Sequence, residues 1–532
     1  MRQQPLPVGT RPQLLVDDYL IAASEGVVAQ LHPMTKHPEP VLQAEAPWER
    51  PETGGLWGIP NAVYDRDLEL YKLWYLSLGT YPARNRQPDP TYHCYATSKD
   101  GLNWERPNLG QFKFEGSSAN NIIASNGAPG TDGGVLDCPE MAGLEPPDRR
   151  YKSTSCLGSD DQGRVAHGVS FSPDGVHWHN YEDNPVISGY SRGDVITCAK
   201  LRDPAFPEDI PGLTNAKYAL FPKVSVQLGR FRRRSFAMCT SEDDLGGNPF
   251  TQWTEPQLVL MPDLRDDEMA AERLAAAKSI LLLDHPDDHR CEFYGVIVWR
   301  TGDVFLGLIW IYDASYEYNR FGSGNQYAIV DIQLAASRDL LHWERLGDRQ
   351  PVIARGDPDA FDSHMIFKHS YPLAVGDEWW GYYVGFNEGH TARNCYDEAM
   401  RQQSRADVKA GRRHFQKIGL AKVRREGYIS RDAGTAGGTL TTRTIQPGGS
   451  HLELNATVAE GGVLSVEVQD EDGRALPGFA ATDCTPVTGD SLRHQVRWGD
   501  RRGDDGWRDR PLRLHFHLRA ASLYSFRWTD SS

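Results

Sequence analysis

One short phrase, Ser-x-Asp followed by a tryptophan, closes four extended runs of this chain: SKDGLNW (Ser98 to Trp104), SPDGVHW (Ser172 to Trp178), SEDDLGGNPFTQW (Ser241 to Trp253) and SRDLLHW (Ser337 to Trp343). Successive copies start 69 to 96 residues apart. Each follows an alternating strand, YHCYATS, AHGVSFS, RSFAMCTS or VDIQLAAS, with a strand pair upstream and another strand after the tryptophan. Four strands per unit, punctuated by a fixed turn, are the signature of a β-propeller blade. A fifth, worn unit reads FDSHMIF, EWWGYYVGF and KIGLAKVRREGYI without the phrase. The repeat therefore predicts an all-β chain with a five-bladed propeller.

Two stretches break the pattern. Asp266 to Leu283, rich in Ala, Glu and Leu, predicts a helix between units three and four, and Ala392 to His414 predicts a partly helical insertion in unit five. After Gly427 to Leu440 the phrase stops and alternating strands with Gly-rich turns follow, which predicts a separate β-sandwich. The expected division is residues 1–435 for the propeller, with an N-terminal arm closing its last blade, and residues 436–532 for the sandwich.

Composition narrows the partners. The formal charge is -15, from 57 basic and 72 acidic residues, and the one basic cluster, Arg232 to Arg234, is short. Neither nucleic acid nor an anionic membrane is an expected partner. No apolar stretch has signal-peptide or membrane-span length, and the eight cysteines show no metal spacing, so a cytoplasmic protein with free thiols is expected. Homo-oligomerisation is left open.

Chemistry is expected where the innermost strand of each blade begins, because those ends line one mouth of the central tunnel. The acids there are Asp137, Asp194, Glu292 and Asp362, with Glu49 just before the first unit. A single Asp at a strand start is more often a turn or cap acceptor; four at equivalent positions suggest converging carboxylates. Paired carboxylates can protonate a leaving oxygen and attack, or activate water, at an anomeric carbon. The aspartates of the repeated phrase, Asp100, Asp174, Asp243 and Asp339, read as turn formers. Further pocket candidates are Trp57 as a stacking face, Arg192, Tyr294, Arg300, His364, Asn387, Glu388 and His390.

The five units, the S-x-D-G-x-x-W phrase and the inner-strand acids resemble the five-bladed propeller glycosidases around glycoside hydrolase families 43 and 32. LLVDDYLIA, the PWE at Pro47 to Glu49, GTLTT, LELNA and LPGF resemble a bacterial subgroup of family-32-like or family-43-like sequences. That resemblance implies three acids. By residue type Glu292 is the general acid, Asp194 the nucleophile or base, and Asp137 or Asp362 the third carboxylate. No WMNDPNG-like phrase opens unit one, so simple sucrose or fructan cleavage is not implied. RDP at Arg202 to Pro204 matches a family tripeptide, but it follows its strand and is expected at the far end from the pocket.

The expected activity is hydrolysis of a furanoside or small oligosaccharide. Two other readings stand beside it: a carbohydrate-binding propeller without turnover, and a glycoside phosphorylase using Arg192, Arg300, His364 or His390 for phosphate. No cofactor is expected. A Ca²⁺ ion in the tunnel is compatible with the fold, but no ligand spacing demands it.

Overall fold

The computed structural model describes residues 4–50, 55–77, 90–125, 133–139, 145–159, 164–191, 193–201, 216–229, 231–242, 250–318, 324–392, 398–409 and 416–530. The chain is all-β. Among the described residues its α-helices are Leu264–Ala276, which overlaps the Asp266 to Leu283 stretch and starts two residues before it, and Glu398–Lys409, inside Ala392 to His414. Asp263 caps the first, accepting from the Asp266 amide. No described helix is long and apolar enough to cross a membrane.

Among the described residues five antiparallel groups of strands follow one another. The first runs Leu56–Asp65, Leu70–Ser77, Tyr92–Ser98 and Ile122–Ser125, and the second opens Val135–Asp137, Tyr151–Ser159 and Val165–Ser172. The third is Ile196–Lys200, Ala216–Leu228, Phe231–Glu242 and Gln257–Leu260. Arg290–Thr301, Val304–Tyr318 and Gly324–Ser337 form the fourth. The fifth is Met365–His369, Glu378–Phe386 and Gln416–Arg424, whose outer edge takes Thr35–Lys36 and Leu42–Gln43 from the N-terminal region. The first strands of units one to four touch in sequence, unit five lies against unit four, and its first strand touches that of unit one.

The repeated phrase does the same work in each described copy. Asp100 Oδ1 accepts from the amides of Leu102 and Asn103 at 2.8 Å, and Asp174 and Asp339 repeat the pair with Val176 and His177 and with Leu341 and His342. Ser98, Ser172 and Ser337 accept from the amide three residues on. These bonds close the turn locally. The turn then packs on the preceding unit. Trp74 of unit one donates to Gly175 O at 2.6 Å, and Leu340 shares a cluster with Phe221 and Phe236 of unit three. Tyr382 of unit five donates to Gly101 O at 2.7 Å while Trp104 packs edge-on against it, which joins the last unit to the first. Gly101 and Gly175 take left-handed φ of 73° and 83°; in the fourth copy Leu340 adopts φ 65°, a strain that its full burial offsets. Asp243 lies outside the described residues.

Beyond unit five the described residues centre on a hydrogen-bonded sheet built on His451–Gln469 and Arg513–Thr529, with Ile445–Pro447 pairing separately with Leu6–Gly9. Its core gathers Leu454, Val466, Phe516, Trp507 and Trp528 with Val8, Leu15 and Leu20. Strands from both sides of residue 435 and from the N-terminal region pair within this sheet. Ile429–Ala433 pairs with Arg513–Thr529 and with Val28–Leu31, and Ile21–Glu25 pairs with Gly438–Thr442. Gln13–Leu14, Ile21–Glu25 and Val28–Leu31 belong to this sheet, the last two at its edges, while Val8, Leu15 and Leu20 cover its apolar face.

Candidate functional site

The hairpin of unit three overshoots its first strand. Ile196 pairs with Pro222, and Ala216–Leu228 continues past that point before Phe231–Glu242 returns, so Lys223 and Arg234 stand above the strand starts. The adjacent strand of unit four is in step, since Thr197 Oγ1 donates to Val296 O at 2.7 Å, which sets Glu292 near the level of Asp194. Strand starts of neighbouring units and an overhanging hairpin thus meet at one mouth.

Asp194 keeps 67% of its side-chain surface and accepts from Lys223 Nζ at 2.5 Å. Burial works to raise its pKa, but Lys223, and Lys368 more weakly, hold the carboxyl well below the usual carboxylate range. Lys223 is buried, 4.0 Å over the Tyr294 ring, and burial lowers its pKa against the pull of Asp194. Arg234 lies 5.2 Å from the same ring and 4.8 Å from that of Tyr312.

Glu292 is 2% exposed, and both its oxygens are taken. Arg234 Nη1 donates to Oε2 at 2.6 Å; Tyr316 OH donates to Oε1 at 2.5 Å and Arg290 Nε to the same oxygen at 3.3 Å. Burial raises its pKa, yet Arg234, Tyr316 and Arg290 outweigh burial and keep it below the ordinary glutamate value. A general acid is favoured by an environment that raises its pKa, whereas these neighbours favour the Glu292 anion.

Aromatic and imidazole groups wall the mouth. Tyr294 packs on Phe367 at 4.9 Å and on His390 at 5.1 Å. The His390 ring nitrogens face Tyr312 OH at 3.0 Å and Tyr294 OH at 3.3 Å. Burial, with Arg234 and Lys223 adding to it, pushes His390 down to about 3, so the imidazole is neutral at working pH. Trp57, half-buried, touches Phe367 and Phe386 at 5.5 Å and carries the Lys368 ammonium 4.4 Å above its ring. Glu388 is 7% exposed on the loop that carries His390. His364 precedes Met365–His369, with Nδ1 2.9 Å from Ser363 Oγ.

Four expected residues do not join this cluster. Asp137 ends its strand rather than starting it, and Arg150 grips it at 2.9 Å while also reaching Asp65 of unit one, a pairing at the opposite mouth. Arg300 lies eight residues beyond Glu292 on the same strand, roughly 26 Å at about 3.3 Å per residue, and donates to Leu201 O. Asp362 precedes its strand as expected, but its carboxylate turns outward to Tyr383 OH at 2.9 Å and Lys36 Nζ at 2.8 Å. Glu49 is fully buried in unit one, accepting from Tyr75 OH, Arg106 and the amides of Glu45 and Ala46. Each carboxylate is consumed by a neighbour that sequence position does not reveal. Arg192 and the Arg202 to Pro204 tripeptide lie outside the described residues.

Sequence reading missed Lys223, Arg234, Tyr312, Tyr316 and Lys368. The available signal was the run RFRRRS: its alternation puts Arg232 and Arg234 on one face, with Arg233 turned to Asp267 and Cys291 O. Among the described residues no three His, Cys, Asp or Glu side chains gather as metal ligands.

No family model and no curated protein matches the chain. Solved structures similar to it include a glycoside hydrolase at 12% identity, covering 73% of this chain and 92% of that one with a TM-score of 0.39. A family 32 β-fructofuranosidase from Bombyx mori is 11% identical and covers 93% and 95%, TM-score 0.35. An arabinoxylan arabinofuranohydrolase of family 43 from Bacillus subtilis is 9% identical and covers 92% and 99%, TM-score 0.33. Likenesses this loose leave the chemistry to be argued from the residues themselves.

Proposed function

We propose that the chain is a five-bladed β-propeller glycoside hydrolase with a C-terminal β-sandwich, cleaving a furanoside or small oligosaccharide at the mouth formed by units three, four and five. The observation that carries this reading is Asp194: an accessible carboxylate, held ionised by Lys223, among the aromatic faces of Trp57 and Tyr294. Such a group attacks an anomeric carbon or takes a proton from water there. Trp57, half-buried, supplies flat apolar surface for a sugar ring, and Tyr294 lies buried in the wall behind it.

The proton for the leaving oxygen is assigned to Glu388 instead of Glu292. Glu292 instead anchors Arg234 and Tyr316, and so shapes the wall behind the reacting carboxylate. The test is turnover of a glycoside panel by wild type and by Asp194→Asn. Hydrolysis by the first, reduced roughly 10³-fold in the second, is expected.

One observation favours a sugar-binding propeller without turnover: Asp194 and Glu292 are both held as anions, so neither of these two supplies a proton. Binding of glycans by wild type with hydrolysis of none would select that reading.

A further inference from the structure

The protein is acidic overall, with a formal charge of -15, yet its candidate site concentrates positive charge. Lys223, Arg234, Arg290 and Lys368 surround Asp194 and Glu292, and three of these cations face the small aromatic wall of Tyr294 and Trp57. Arg234 differs from the other cations. Lys223, Arg290 and Lys368 are buried, whereas Arg234 keeps 23% of its side-chain surface. Its bonds to Glu292 and Tyr316 both leave from Nη1. Nε and Nη2, the side-on fork of the guanidinium, make no hydrogen bond to a described residue and are not sealed from solvent. That edge has the geometry that pairs two parallel N–H donors with a carboxylate, sulfate or phosphate.

The same cations bear on His390. Arg234, Lys223 and Lys368 disfavour protonation of that imidazole, and Asp194 favours it. Glu292 fixes Arg234 from behind through Nη1 and so aims the fork without occupying it.

We infer that Arg234, backed by Lys223 and Lys368, forms an oxyanion subsite beside Asp194, taking an acidic group carried by the sugar or supplied as free phosphate. The inference rests on the hydrolase reading for its place in catalysis, but the binding itself does not need turnover. A sugar-borne carboxylate or sulfate on the fork would fix the ring at the mouth beside Trp57. Free phosphate on the same fork would stand in for water: its oxygen bonds the anomeric carbon as the glycosidic oxygen leaves with the acid's proton.

Calorimetric titration of wild type with galacturonate and with galactose tests the subsite directly. The uronate is expected to bind about tenfold tighter at low salt, an advantage that shrinks as salt is added and vanishes in Arg234→Gln. Arg234→Lys, which keeps the charge and loses the fork, is expected to retain part of it. Equal binding of the two sugars by wild type, together with no binding of inorganic phosphate, overturns the subsite whether or not the variants fold. Turnover of matched disaccharides, one ending in a hexuronic acid and one in the parent hexose, with and without millimolar phosphate, separates the two sources. Preference for the uronide with phosphate competing assigns the fork to the sugar, and phosphate-dependent release of a glycosyl phosphate assigns it to the free anion. Cleavage of the neutral disaccharide without uronide preference or phosphate effect overturns the inference and keeps the hydrolase. Cleavage of neither overturns the hydrolase and leaves the titration to decide the subsite.

Discussion

Lys223 donates to Asp194 at 2.5 Å from a buried position, while Asp194 itself stays open to the mouth. The pair couples an inaccessible cation to an accessible base, so the lysine sets the ionisation of the carboxylate without touching a ligand. Lys223→Met removes the main charge that lowers the Asp194 pKa. The acid limb of the pH–rate profile is then expected to move to higher pH, because the carboxylate protonates sooner as pH falls. A profile of kcat/KM for wild type and variant checks the shift, and an unmoved limb argues against Asp194 as the base.

Glu388 and Glu292 make separable predictions. Glu388→Gln is expected to lose most activity on substrates with poor leaving groups and to recover it on a dinitrophenyl glycoside, which departs without protonation. Glu292→Gln is expected to lose activity on both, since it releases Arg234 and Tyr316. Recovery in Glu292→Gln alone would return the acid role to Glu292.

Buried histidines make the fold sensitive to mild acid. Burial lowers His93, His167 and His369 to about 4 each. Their folded pKa values lie below the unfolded value near 6.5, so the unfolded chain binds more protons between those limits and stability falls as pH drops from about 6.5 to about 4. Each site is worth about 2 kcal/mol at pH 5. Denaturant melts at pH 7.5 and 5 are expected to show the loss, and His167→Gln to flatten it.

Gly175→Ala tests the turn that packs unit two on unit one. Its φ of 83° disfavours a side chain, and a Cβ there would stand 2.5 Å from the Trp74 ring. A loss of about 1 to 3 kcal/mol in a denaturant melt is expected. The equivalent change at Gly434, where a Cβ meets nothing within 4 Å, should cost far less.

The Ser-x-Asp turns were legible because their bonds span two or three residues: Asp174 caps the amides of Val176 and His177 whatever the rest of the chain does. The predicted helices rest on equally local propensity and capping. Strand-start position, by contrast, was an incomplete guide to function. It selected Asp194 and Glu292, but also Asp362, whose carboxylate is claimed by Tyr383 and by Lys36 from more than three hundred residues away. Asp137 lies apart from that pair for a different reason, since its strand begins at Val135 and the acid stands at the other end.

Sequence alone determined the all-β repeat and the turn chemistry that spaces it, because both follow from alternation and short-range hydrogen bonds. Only the tertiary structure decided which acids remain available and in what charge state. Those properties belong to partners such as Lys223 and Arg234, brought onto Asp194 and Glu292 by an overhanging hairpin, and the energy of a buried charge depends on such neighbours more than on the residue itself.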